Sequence, residues 1–308
     1  MRAEDRLPEE DILRPGDLRD GLALNRLVAA SPWTFWGESW GAGYEDPDTL
    51  LGRYPGLLWL REEAIQGALF FSLYRQPVAE VCFLVLRPDN DQGDTNRRLF
   101  FSQVLPYAEA WLWTMGARWA SVMDGTEWLL AELARYGYRF QDRVLGYRRM
   151  GLDLSIQGNR AALVRRISPD DIASVVALDA AAFAPFWRVN DDMVRQASEK
   201  SPYALVAEME QRVVGYLLAE RSLDEGYISR LAVLPGHQGR GLGTRLVREA
   251  FSQMQRDGLN SVSLNTQENN TRSRNLYEHL GFQHIGANKI IWSKPLAISQ
   301  KCKVTETS

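Results

Sequence analysis

Six consecutive residues offer the first chemistry in this chain: Gln238, Gly239, Arg240, Gly241, Leu242 and Gly243. The apolar run Leu231–Leu234 reads as the end of a strand, which Pro235 and Gly236 stop. Leu242, Leu246, Val247, Ala250, Phe251 and Met254 then recur at helical spacing. The first turn of a helix leaves backbone N–H groups without partners, and the helix dipole adds partial positive charge there. Glycines let the chain curl so that these groups converge and a ligand approaches closely. A strand, a glycine-rich turn and a helix start therefore suit an anion, best a phosphate or diphosphate. Arg240 adds a mobile positive charge, and Thr244 closes the stretch.

Three phosphate-binding patterns can be compared with these residues. The Walker loop ends in Gly-Lys-Ser/Thr, whereas Gly243 is followed by Thr244 and Arg245. The dinucleotide fingerprint needs G-x-G-x-x-G, and Gly239, Gly241 and Gly243 have the wrong spacing. The third is Q/R-x-x-G-x-G/A after a strand and a proline, and Gln238, Gly241 and Gly243 fill every position of it. A glycine-rich turn that binds nothing is the bland alternative. The fit resembles the acetyl-CoA pyrophosphate loop of the GNAT superfamily of acyltransferases.

That resemblance extends downstream. Asn270 opens a helix, and Tyr277 stands seven residues later in LYEHLGF. In the superfamily an Asn here lies near the pantetheine arm, and such a Tyr donates a proton to the departing thiolate. The resemblance covers roughly residues 162–292 and is clearest over 228–282. It implies acetyl-CoA as cosubstrate, no metal, and an amine acceptor that attacks the thioester directly. It also implies that main-chain groups of Leu231, Ala232 and Val233 face the pantetheine, with the Val233 amide placed to stabilise the oxyanion. The chemistry of Tyr277 stands independently: a phenol near pKa ~10 is nearly matched to a thiol near ~8.5, and a positioned acid contributes about 10²–10⁴ in rate. A core tyrosine bonded to backbone is the structural alternative.

The general base is not legible. An amine of lysine type, with pKa ~10.4, is almost wholly protonated near neutrality, so something must take its proton. Relatives often carry a Glu early in the loop strand, where this chain has Tyr227, followed by Ser229 and Arg230. Glu220, Asp224 and Glu225 are weak candidates, each more readily read as a solvated hairpin charge, and water-relayed proton loss stays open.

The elements that must hold these residues recur. Leu163–Ile167 is a strand, Ser168-Pro169-Asp170-Asp171 caps a helix through Phe183, and a hairpin runs across Glu210-Gln211-Arg212. The first half shows a comparable order: a helix over Asp20–Ala30, strands at Leu57–Leu60, Ala68–Leu73 and Val78–Leu86, a long helix Arg97–Met115 interrupted at Pro106, and a terminal hairpin over Tyr138–Met150. LARYGYRF, Leu133–Phe140, matches YEHLGFQH, Tyr277–His284, and Thr34-Phe35-Trp36 matches Pro185-Phe186-Trp187. The expected fold is α/β: two tandem GNAT-like domains, each a twisted, mixed, largely antiparallel sheet flanked by helices. The boundary is placed in the polar link Asp153–Arg160, giving a domain over 1–154, a catalytic domain over 161–293 and a polar tail over 294–308. The first copy has Leu133 in place of Tyr277 and an acidic loop with Asp89, Asp91 and Asp94, so it is expected not to bind acetyl-CoA. Trp33, Trp36 and Trp40 form an aromatic stripe, read as a buried face or a pocket lining.

Composition narrows the function further. The 308 residues are 45% hydrophobic and 24% charged, with net charge −3, so bulk electrostatics makes no case for nucleic acid. Three histidines and two cysteines, Cys82 and Cys302, argue neither a metal site nor a disulfide framework. No apolar run reaches membrane-spanning length, and the charged first residues do not read as a signal peptide, so a cytoplasmic protein is expected. A mycothiol synthase-like acetyltransferase and a non-catalytic acyl-CoA-binding sensor are the alternatives. The acceptor and the oligomeric state are not readable.

Overall fold

The computed structural model describes residues 7–8, 10–37, 46–89, 95–222 and 224–297. Trp40, Asp91, Asp94 and Cys302 lie outside them, as do residues 298–308 of the expected tail. The chain forms two compact units, residues 1–141 with 290–308, and residues 142–289.

The first unit contains β1 (Asp11–Pro15), α1 (Gly21–Ala30), β2 (Trp33–Trp36), α2 (Pro47–Arg53), β3 (Gly56–Arg61), β4 (Ala64–Ser72) and β5 (Val78–Leu86). Then come α3 (Thr95–Leu99), α4 (Leu105–Thr114), β6 (Trp119–Met123), α5 (Glu127–Arg135) and the start of β7 (Arg139–Met150). Its sheet runs β1-β3-β4-β5-β6, antiparallel except where β5 and β6 run parallel. Side chains alternate across it. Leu58, Ala68, Phe70 and Val85 pack with Leu24, Leu27 and Leu50 of α1 and α2. Leu57, Leu69 and Leu84 pack with Leu105, Leu112 and Leu129 of α4 and α5. A π-helical turn, Phe100–Val104, joins α3 to α4 just before Pro106, so the expected interruption of the long helix is a bulge rather than a break.

The second unit contains the rest of β7, β8 (Leu163–Arg166), α6 (Ile172–Ala182), α7 (Asp191–Lys200), β9 (Leu205–Met209), β10 (Arg212–Ser222) and β11 (Glu225–Val233). It continues with α8 (Leu242–Arg256), β12 (Ser261–Gln267), α9 (Thr271–His279) and most of β13 (Gln283–Pro295). Its sheet runs β7-β12-β11-β10-β9-β8, with only β11 and β12 parallel. Leu246, Val247, Ala250, Phe251 and Met254 of α8 seal one face with Tyr277 and Leu280. Val175, Leu178 and Val194 of α6 and α7 seal the other.

Two expectations need correction. Tyr138–Met150 is not a hairpin: residues 139–150 form one strand, because the run holds no residue pair at positive φ to reverse it. Val144–Met150 pairs with Gln267–Ser261 in the second unit, while Ile291–Pro295 pairs with Met123–Trp119 in the first. The polar link Asp153–Arg160, where the boundary is expected, therefore lies inside the second unit. No described helix is long and apolar enough to cross a membrane.

The repeat shows in the caps. In the second unit Ser168 and Asp171 form a capping box, and Arg165 grips Asp171 through both terminal nitrogens at 2.6 and 2.9 Å. In the first, Asp17 and Asp20 form the same box, and Arg14 grips Asp20 at 2.8 and 2.6 Å.

Candidate active site

The second unit's parallel pair comes apart early. β12 pairs with β11 only over Gly226–Ile228, then follows β7 as far as Gln267. β11 runs on to Val233 beside β10 alone, after Ser229 is left out of the ladder. The next amide, Leu234 N–H, donates to Val214 O on the β10 side at 2.9 Å. Strand alternation then turns the Val233 N–H to the edge that β12 has left. Val233 O accepts from Gln238 Nε2 at 2.9 Å, so the loop's glutamine is tied to the end of this strand.

The loop is shaped by backbone sign. Gly239 and Gly241 sit at φ +76° and +75°, and Gly241 is the N-cap of α8. L-residues adopt that region at a cost of roughly 1–2 kcal/mol. A Cβ on Gly236 or Gly239 would meet nothing within 4 Å, so the loop has an open side. Gly243 is glycine for another reason: a Cβ there would stand 3.0 Å from Leu276 Cδ2 and 3.8 Å from Leu231 Cδ2. The helix start, the open strand edge and the helix carrying Tyr277 thus converge on one residue. Leu242 and Thr244 are buried beneath the loop, while Arg240 is exposed.

Asn270 caps α9, its Oδ1 accepting from Ser273 N at 3.1 Å, while its Nδ2 donates to Gln267 Oε1 at 3.5 Å. Tyr277 is buried, edge-on to Phe282 at 5.6 Å between centroids. Burial pushes its phenol well above the ordinary value, and the Arg230 charge opposes that shift without cancelling it. The group is therefore a protonated acid at neutral pH.

The carboxylates expected near the site differ in their commitments. Glu225 is held by Arg148 at 2.9 Å and accepts from Ser263 Oγ at 3.0 Å. Asp224 is exposed in the turn between β10 and β11. Glu220 is exposed and sits directly across from Tyr227 in the β10–β11 register. Tyr227 accepts a hydrogen bond from Asn265 Nδ2 at 3.1 Å. Its pKa is pushed up to about 12, first by burial and then by the Glu220 charge.

Two features escaped the sequence reading. Asp179, fully buried, receives Arg230 Nε and Nη2 at 2.9 and 2.7 Å, Tyr216 Oη at 2.6 Å and Val189 N at 2.9 Å. Arg230 also donates to Trp187 O at 2.6 Å and lies over the Phe183 ring at 3.7 Å, so one ion pair anchors the 183–189 loop. The other is Asn159, whose backbone and side-chain nitrogens reach Gly241 O and Arg240 O at 3.1 and 3.0 Å. Neither is marked by a local pattern.

Residues 172–282 match the model of the acetyltransferase (GNAT) family. A Bacillus subtilis (strain 168) protein, named as a putative [ribosomal protein bS18]-alanine N-acetyltransferase, is 29% identical over 108 residues, 34% of this chain and 70% of that one. The solved GCN5-related N-acetyltransferase from Sphaerobacter thermophilus shares the fold at TM-score 0.55 and 20% identity, over 94% of this chain and 97% of its own. A tandem GNAT protein from the clavulanic acid biosynthesis pathway does so at TM-score 0.54 and 15% identity, over 94% and 100%. The second unit thus matches the acetyltransferase (GNAT) family over residues 172–282, and the chain as a whole shares its fold with solved GNAT proteins.

Proposed function

We propose that the second unit transfers an acetyl group from acetyl-CoA to an amine by direct attack. The observation that carries this reading is the strand edge opened after Ile228 beside a loop at positive φ and a buried phenol. The amides of Gly239–Gly243 would hold the diphosphate, with Gln238, Arg240 and Thr244 around it. The free edge of Leu231–Val233 and the Asn270 amide would hold the pantetheine arm. The Val233 N–H would hydrogen-bond the thioester oxygen as it gains charge, and Tyr277 would protonate the departing sulfur. Glu220, across from Tyr227, is the carboxylate best placed to draw a proton from the incoming amine, directly or through water. We assign no acetyl-CoA binding to the first unit, and we place the activity in the cytoplasm.

A second reading is a non-catalytic acyl-CoA sensor. It is favoured by a phenol, Tyr227, in place of a strand carboxylate, and by the engagement of Glu225 elsewhere. Thiol release from acetyl-CoA across a panel of amines separates the two. Turnover with any amine supports the enzyme, and coenzyme binding without turnover supports the sensor.

A further inference from the structure

Residues 153–160, read in the sequence as a link between domains, end against the glycine-rich loop. Asn159 N–H donates to Gly241 O at 3.1 Å, and Asn159 Nδ2 donates to Arg240 O at 3.0 Å. Asn159 is itself set by a local turn, its Oδ1 accepting from Ala161 N at 3.0 Å. Gly158, at φ +66°, lets the chain come this close: a Cβ there would stand 2.6 Å from Arg245 N and 2.8 Å from Gly241 O.

The two carbonyls matter because of the peptides they belong to. Arg240 O and Gly241 N lie on one peptide plane, as do Gly241 O and Leu242 N. Gly241 O also accepts from Arg245 N at 3.0 Å, the first bond of α8, so the helix itself sets the 241–242 plane. Arg240 O is held by Asn159 Nδ2, and fixing that oxygen turns the Gly241 N–H the opposite way. Glycine at 239 and 241 makes peptide flips in this loop inexpensive. A flipped plane would present a carbonyl dipole, rather than an N–H, to an incoming anion.

We propose that Asn159 is a positioning residue for coenzyme binding. Its side chain pins the 240–241 peptide so that the Gly241 amide stands ready for the diphosphate, and its N–H adds to the helix bond that already sets the 241–242 peptide. The proposal rests on the acetyl-CoA reading above. It lies outside the residues matched by the family model, and Asn159 touches no reacting atom.

The test uses the full chain with Asn159→Ala, which loses one of the two bonds, and Asn159→Asp, a near-isostere that sets a carboxylate against Arg240 O. Calorimetry gives Kd for CoA, and initial rates give kcat and KM with acetyl-CoA and with S-acetylpantetheine, which has no diphosphate. Asn159→Ala is expected to raise Kd and the acetyl-CoA KM about 5- to 10-fold, the scale of one hydrogen bond. Asn159→Asp is expected to raise them further. For both, kcat at saturation and kcat/KM with S-acetylpantetheine stay at wild-type values. Wild-type affinity for CoA in Asn159→Asp overturns the proposal, as does an equal loss with S-acetylpantetheine. A wild-type chain that binds no CoA overturns the acetyl-CoA reading itself, and the clasp with it, which is a different outcome from a binding wild type with unaffected variants.

Discussion

Thr34-Phe35-Trp36 and Pro185-Phe186-Trp187 occupy matching places in the two units, yet they do opposite things. In the first unit the segment is strand β2, laid antiparallel along Phe83–Leu86 of β5. In the second it is a single 3-10 turn opening at Pro185. The strands they face correspond residue by residue. Both skip one position of the ladder, Cys82 and Ser229, and both carry a matching row, Ser72–Glu80–Ser121 and Glu220–Tyr227–Ser263. Phe83–Leu86 therefore matches Arg230–Val233, the edge assigned to the pantetheine arm. In the first unit that edge is taken by the protein's own backbone, with Gly37 N–H closing on Cys82 O at 2.9 Å.

The difference traces to a few side chains. Pro185 has no N–H to give a ladder. Asp179 and Arg230 hold the second unit's loop by charge. The matching residues of the first unit are apolar: Val28 packs on the core that contains Phe83, and Trp36 lies against Phe83 at 4.5 Å between centroids. The helix start is treated likewise, since Asp89 already takes the Asn96 N–H at 3.0 Å. One fold thus carries an open cleft and a self-filled one. The acidic position is split as well: buried Glu80 stands in the first unit where the second has Tyr227.

The comparison can be broken in four places. Tyr277→Phe is expected to lower kcat about 10²–10⁴-fold with little change in coenzyme affinity, whereas Leu133→Tyr in the first unit leaves both unchanged; steady-state kinetics decides. Arg230→Ala leaves Asp179 buried without its cation and is expected to cost about 3–5 kcal/mol in chemical denaturation. The double change Asp179→Val with Arg230→Phe, which imports the first unit's apolar pair, should recover much of that loss. Gly241→Ala forces an L-residue to φ +75°, and about 1–2 kcal/mol of strain weakens CoA binding roughly tenfold by calorimetry.

The smallest effect tests where the units agree. Arg165 and Ser168 hold the Asp171 carboxyl below its ordinary value, and Arg14 does the same for Asp20. A depressed folded pKa contributes stability above the unfolded value of ~3.9 and loses it as pH falls through the folded one. Asp171→Asn and Asp20→Asn should each cost about 0.5–2 kcal/mol at neutral pH. The gap from wild type should narrow in acid, and thermal melts from pH 7 to pH 2 measure it.

What the sequence disclosed was local. Asn270, Ser168 and Gly281 mark helix ends by chemistry confined to one turn, and the Gln238–Gly243 spacing encodes a loop whose geometry is local. β5 was legible because nine apolar residues admit little else. Helix α2, capped by Asp46 before Pro47, was missed although its signal is present, because the element is only seven residues long. The remaining misses depend on partners far along the chain. Nothing in DRVLGYRRM says which sheet it completes, and nothing around Asn159 says that its amide holds a carbonyl of the loop. The Asp179–Arg230 pair joins a helix to a strand that local spacing does not connect.

The central claim is that one unit holds acetyl-CoA along the edge Leu231–Val233 and the amides of 239–243, while the other fills its matching strand edge with its own strand. Calorimetric titration of the full chain with acetyl-CoA, repeated on Gly241→Val, tests it most directly. The account predicts a single equivalent bound per chain and heat that disappears in the variant. Two equivalents per chain, or undiminished binding by Gly241→Val, would contradict it.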